Sequence, residues 1–352
     1  MKNTQGAQYW TIGWIFPPRP RDLRLGPPSI LSPMTEQDST PVVERPASRG
    51  VLLAILSLVW MAAMLFSARI TITGGPDAEM EVTSTAYALP GAVSASLVTG
   101  VAAALAVLSL VARRRTPGAT LRFAIATGTG LVVGLLGALV VVTINTEGWL
   151  YAVVGGTIAA AATIGGALAG FRVPRVLAAV CWGSIAVFLV GFVLNIFQNP
   201  VLSALGSGDS EQSQTSAAQW FSFAQSLLSG VAAGIVGYRL LRRARRGTDG
   251  ADLSPAFYFL AGGGPGLLLL IGEALTRTAG SRVLDLAGKV SELELTVQKL
   301  LSGARFNSAL IVLFAGAISA AIAFGLGLKP APEEKPEAEP AAAKPAAADQ
   351  VS

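Results

Sequence analysis

Apolar residues in this chain come in long unbroken runs, not in the alternating or every-third-residue patterns of a soluble domain. Eight such runs stand out, at approximately 51–68, 92–112, 123–145, 150–171, 176–197, 218–238, 256–275 and 308–328. Each is close to the roughly 20 residues a helix needs to cross a hydrocarbon layer about 30 Å thick. The pattern predicts an all-α fold, a polytopic transmembrane helix bundle of about eight spans.

The polar stretches between the runs orient them. Arg45 and Arg49 precede the first run, and Arg113, Arg114, Arg115 and Arg122 join the second to the third. Arg172 and Arg175 join the fourth to the fifth, and Arg239, Arg242, Arg243, Arg245 and Arg246 follow the sixth. If all eight runs span, these arginines share one side, which is then cytoplasmic, with both termini on it. The opposite loops carry acids instead: Asp77, Glu79 and Glu81 in one, Asp209 and Glu211 in another. Trp149, Tyr151, Trp220 and Phe221 fall at that outer boundary, where an aromatic belt is expected. The loop after the seventh run is the exception, with Arg277, Arg282, Lys289, Lys299 and Arg305 outside.

Three domains follow from this order. Residues 1–50 read as a cytoplasmic tail, 51–328 as a membrane domain of eight helices with a separate extracytoplasmic helix at 283–304 between the seventh and eighth, and 329–352 as a Pro/Ala-rich cytoplasmic tail with the composition of disorder. Within the first tail, Met34 opens a polar stretch typical of such a start, which makes residues 1–33 an upstream over-extension or a disordered leader. Residues 70–85 alternate around Gly-Gly-Pro-Asp and suggest a small β-hairpin, a solvated loop being the alternative. The 198–217 loop is rich in Gly, Ser and Gln and reads as mobile.

Composition agrees with the pattern. The 352 residues are 52% hydrophobic and 13% charged, against about one quarter charged in a soluble domain. The net charge of +5 is accounted for by arginines flanking the runs, so no nucleic-acid partner is inferred; the lipid bilayer is the expected partner. Cys181 is the single cysteine and there is no histidine, which removes an intrachain disulfide, the commonest metal ligand and the commonest general base. No phosphate-binding loop, metal cluster or acid/base pair is visible, so neither an enzyme nor a cofactor is expected, and an ATP-driven role would need a separate ATPase subunit.

Three features could carry function. Glu273 is the one acid well inside an apolar run, where a carboxylate costs roughly 2.5–3.5 kcal/mol at mid-membrane. Counting depth puts Asn195 and Gln225 in the same outer third, with Ser222 and Ser229 a turn either side of Gln225 and Ser226. A shared polar layer is one reading; an interfacial glutamate paired with Arg277 at i+4 is the other. The second feature is the run Gly262-Gly263-Gly264-Pro265-Gly266 within the same span. Pro265 has no N–H, so the helix kinks there or breaks into half-helices that could face a ligand, with Gly263, Gly264 and Pro265 at the gap. The third is a heptad in which Val283, Leu286, Val290, Leu293, Val297, Leu300 and Ala304 recur at steps of three and four. Valine at a and leucine at d suit a parallel homodimer, and an amphipathic helix on the membrane surface suits the pattern too. The pairs Gly130/Gly134, Gly166/Gly170 and Gly230/Gly234 argue for tight helix packing within one subunit.

The stretches TINTEGWLYAVVGGT and AGSRVLDLAGKVSELELTVQKLLSGAR, set among Ala/Gly/Val/Arg-rich spans, resemble uncharacterised integral membrane proteins of high-GC Gram-positive bacteria. Some of these are loosely labelled permeases. The resemblance covers roughly residues 50–328, implies a bacterial plasma-membrane location, and carries no functional motif. Two functions stay open: a permease-like transport component with an unknown substrate, and a non-transporting scaffold or envelope-assembly subunit acting through residues 283–304.

Overall fold

The computed structural model describes residues 46–73, 78–114, 117–143, 149–208, 210–246, 254–283, 285 and 292–326. In chain order the helices are α1 (Pro46–Thr73), α2 (Ala78–Ala112), α3 (Ala119–Val142), α4 (Trp149–Ala169) and α5 (Pro174–Ile196). They continue with α6 (Gln198–Ala204), α7 (Glu211–Arg246), α8 (Pro255–Thr278) and α9 (Glu292–Leu326). All but the short α6 are long and apolar enough to cross a membrane, which makes eight spans among the described residues.

The faces of α3 show what solvates the bundle. Gly130, Gly134, Gly137 and Val141 are buried, while Leu131, Val132, Leu135, Leu136 and Leu139 are exposed. In water the large side chains would turn inward and the glycines out. Lipid is as apolar as leucine, so the helices instead bury the small residues that let backbones approach. Gly130 and Gly166 abut each other across α3 and α4, and Gly134 faces Ala159 of α4. Between α2 and α4, Gly100 faces the Ala162 backbone and Gly165 faces the Leu97 carbonyl. A second glycine cluster joins the last three helices: Gly316 of α9 faces the carbonyls of Gly262 on α8 and Gly230 on α7. The Gly-x-x-x-Gly pairs thus serve packing within the chain.

Helix α2 lies between α1, α3, α4, α5 and α8 and is the most buried of the spans. The Thr99 hydroxyl ties it to α1 by donating to the Ser57 carbonyl at 2.8 Å. Cys181 is fully buried in α5.

Several expectations change. There is no hairpin at 70–85: residues through Thr73 finish α1 and those from Ala78 begin α2, with 74–77 outside the described residues. A helix satisfies its own backbone as it leaves the bilayer, whereas the short alternating pattern has no described strand to pair with. The 198–217 loop contains α6 and the start of α7. Helix α8 passes through Gly262–Gly266 without a break. Its glycines lie against α9 and α5, so neighbouring helices hold the backbone that Pro265 weakens. Of the four belt aromatics, Trp149 and Trp220 are exposed but Tyr151 and Phe221 are buried. Residues 292–304 are helical, as the heptad requires, and continue directly into the last span as one helix of 35 residues. The tails 1–45 and 327–352, including Met34, lie outside the described residues.

Candidate functional site

Helices α8 and α9 run antiparallel, so the C-terminal turns of α8 meet the N-terminal half of α9. Glu273 stands there with 4% of its side chain exposed. Its Oε1 accepts from Arg277 Nε at 3.0 Å and from the Ser302 hydroxyl, and its Oε2 accepts from Arg305 Nε at 3.0 Å. Arg277 is one helical turn further along α8, and it also donates to the Ser302 carbonyl at 2.8 Å and lies over the Phe306 ring. A carboxylate between two guanidiniums and a hydroxyl is held in one position, and desolvating it is offset by charge-assisted hydrogen bonds.

This cluster forms one end of a cavity of about 430 Å³. Six helices line it: α1 through Trp60 and Met64, α2 through Pro90, Gly91, Ser94 and Val98, and α5 through Ser184, Val187, Phe188 and Gly191. On α7, Ser222, Gln225, Ser226 and Ser229 follow the helical repeat of three and four, which puts all four on one face. Pro265, Leu268, Leu269 and Glu273 come from α8, and Leu301, Arg305, Ser308 and Val312 are among the contributions of α9. Glycine makes room: a Cβ on Gly191 would sit 3.2 Å from the Gln225 amide nitrogen. The Trp60 and Phe188 rings pack against each other at a tilt, with centroids 4.9 Å apart, and form an aromatic wall.

The hydrogen bonds inside the cavity divide its polar groups. Ser184 and Ser226 spend their hydrogens on the Val180 and Ser222 carbonyls of their own helices. Trp60 Nε1 and Arg305 Nη2 are shielded from solvent and have no hydrogen-bond partner.

Three of the six candidate residues come together here: Glu273, Gln225 and Pro265 all line the cavity. Asn195 does not, for it is exposed near the end of α5. Gly263 faces Leu313 and Ala317, and Gly264 faces Val180, so both serve packing and neither lines the cavity. On the heptad, Val283 is fully buried in the core, Val297 is half-buried, and Leu293 and Leu300 are 74% and 69% exposed. Leu286 and Val290 lie outside the described residues. A seam running from Val283 is therefore interrupted at its first position, since that side chain is already covered by its own chain.

Arg305 is the member sequence reasoning passed over, because it counted among the outer-loop charges. The signal was there: Arg305 stands only a few residues before an apolar run, near the depth counted for Glu273. Among the described residues no group of three acidic, cysteine or histidine side chains could hold a metal. No family model, curated protein or solved structure matches this chain.

Proposed function

We propose that this multi-pass membrane protein is a permease-like component that takes a small ligand into the cavity between α1, α2, α5, α7, α8 and α9. The observation that carries the reading is the cavity itself. It has the volume of a small-molecule site, apolar walls and a few convergent polar groups, and it lies between helices that pack closely elsewhere through glycine contacts. The arginine distribution supports cytoplasmic termini and a cavity in the outer half of the membrane, and the resemblance to bacterial membrane proteins favours a plasma membrane. With no nucleotide-binding motif in the chain, ATP-driven movement would place hydrolysis on a separate subunit.

One observation favours a second reading, a non-transporting scaffold. Leu293 and Leu300 are large, exposed and one heptad apart near the start of α9, the arrangement a homodimer would cover.

Native mass spectrometry of the full chain, released from its own membranes, separates the two. The permease reading expects a monomer carrying a small-molecule adduct that Ser308→Phe, which fills the cavity, removes while thermal stability is kept. Proteoliposomes should then move that molecule faster with the wild type than with the variant. A dimer with an empty cavity, dissociated by Leu293→Lys together with Leu300→Lys, would establish the scaffold instead.

A further inference from the structure

We infer that the cavity recognises an anionic amphiphile, with Arg305 taking the carboxylate or phosphate head and the aromatic and aliphatic walls taking the apolar body. This rests on the cavity being a ligand site, and adds what kind of ligand it holds.

The argument starts from the imbalance between acceptors and donors. Glu273 is the one carboxylate lining the cavity, and it already accepts from Arg277, Ser302 and Arg305. A carboxylate has about four acceptor sites, so three of them are filled. Arg305 is the opposite case. Its guanidinium carries about five N–H donors, only its Nε bond to Glu273 is made, and Nη2 has no partner. The side chain is partly exposed, but Nη2 itself is shielded from solvent, and a charged N–H donor left there without an acceptor is costly. Charge points the same way. Arg277 and Arg305 bring two positive charges to one carboxylate, leaving the cluster net positive by one. Arginine's planar fork matches carboxylates and phosphates, which accept two parallel hydrogen bonds.

The rest of the cavity sets the body of the ligand. From Glu273 to Pro265 is eight residues of α8, about 12 Å along the helix. Over that length the walls are Trp60, Met64, Val187, Phe188 and Leu268. The serine hydrogens at 184 and 226 are committed to their own helices, so along the walls the described donors are neutral groups such as the Gln225 amide and Trp60 Nε1, and Arg305 is the one cationic donor lining the cavity. A bare inorganic anion would leave those apolar walls unfilled. A neutral apolar molecule would leave Arg305 Nη2 without an acceptor. A head-and-tail anion satisfies both, with its head at the Arg305 end and its tail towards the bundle centre.

The test uses the full chain in neutral phosphatidylcholine nanodiscs and four probes that share one tail: decanoate, decyl phosphate, decanol and decyltrimethylammonium. Binding is read by calorimetry or by thermal shift. At least one of the two anions should bind ten-fold or more tighter than decanol, and the cation weakest. Arg305→Gln should abolish that preference while decanol binding stays within two-fold, and Arg305→Lys should retain part of it. Adding phosphatidylglycerol distinguishes the sources: competition with decanoate assigns the occupant to the bilayer, and no competition assigns it to a solute. Equal or tighter binding of decanol or the cation, or an unchanged preference in Arg305→Gln, overturns the inference. If none of the probes binds while the native adduct lost in Ser308→Phe is present, the cavity is a ligand site for another class and only the anion assignment fails. An empty cavity in both experiments removes the ligand-site reading itself.

Discussion

Along one half of the α8–α9 contact, Gly262 and Gly266 meet Gly316 and Leu313 backbone to backbone; along the other, Glu273 meets Ser302 and Arg305 through full-length side chains. The first half has no space between the helices, and the second borders a cavity of about 430 Å³. The same two helices thus solve two problems. Where nothing must enter, glycine lets dispersion contacts hold the bundle together. Beside the cavity, paired charges and small hydroxyls lie between the helices and leave polar edges facing the gap. Apolar walls alone would have closed it.

The largest effect that would break this contrast is expected at the closed end. A Cβ at position 262 already collides with the Gly316 carbonyl oxygen, so Gly262→Leu must push α8 and α9 apart. We expect about 3 kcal/mol of lost stability, the upper end for overpacking, seen as a lower unfolding midpoint in mixed micelles. The open end should give a smaller loss. Glu273→Gln leaves Arg277 and Arg305 facing each other without their carboxylate; because both are partly exposed, about 2 kcal/mol is expected rather than the full penalty of a buried unpaired charge. The same unfolding measurement checks it, and an unchanged midpoint would mean the ion pairs do not hold the two helices. Least of all should follow from Asn195→Leu. Exposed and outside the cavity, it should shift stability by no more than about 0.5 kcal/mol and leave ligand binding unchanged.

The sequence was most informative where lipid is the solvent. Runs of apolar residues mark spans because every segment in the bilayer must be helical and apolar on its outward face. The ends were less legible. Helix α2 starts at Ala78, before the run that marked it, because its first turns carry Thr, Ser and Glu residues that no apolar run includes. The same applies to α7 and α9, which extend well past their apolar runs. At the candidate site, the repeat of Ser222, Gln225, Ser226 and Ser229 could be read from spacing, since periodicity alone decides which residues share a helix face. Asn195 matched in depth but not in direction, and depth counting says nothing of rotation about the helix axis. The glycines at 262–264 were open to both meanings, because a residue without a side chain permits a break and a close contact equally; only the neighbours Gly316, Leu313 and Val180 decide.

The meeting of three helices at Gly316 also sets an order for biogenesis. Chains enter the membrane from the N-terminus, so α7 and α8 are made while the partner of Gly230 and Gly262 is still to come. Until α9 inserts, those glycine faces have only lipid to pack against. One wall of the cavity is missing over the same interval, since Leu301, Arg305, Ser308 and Val312 all belong to α9. Glu273 meanwhile has only Arg277 for company. The cavity is thus the last part of the bundle to exist, and the final span acts as its keystone.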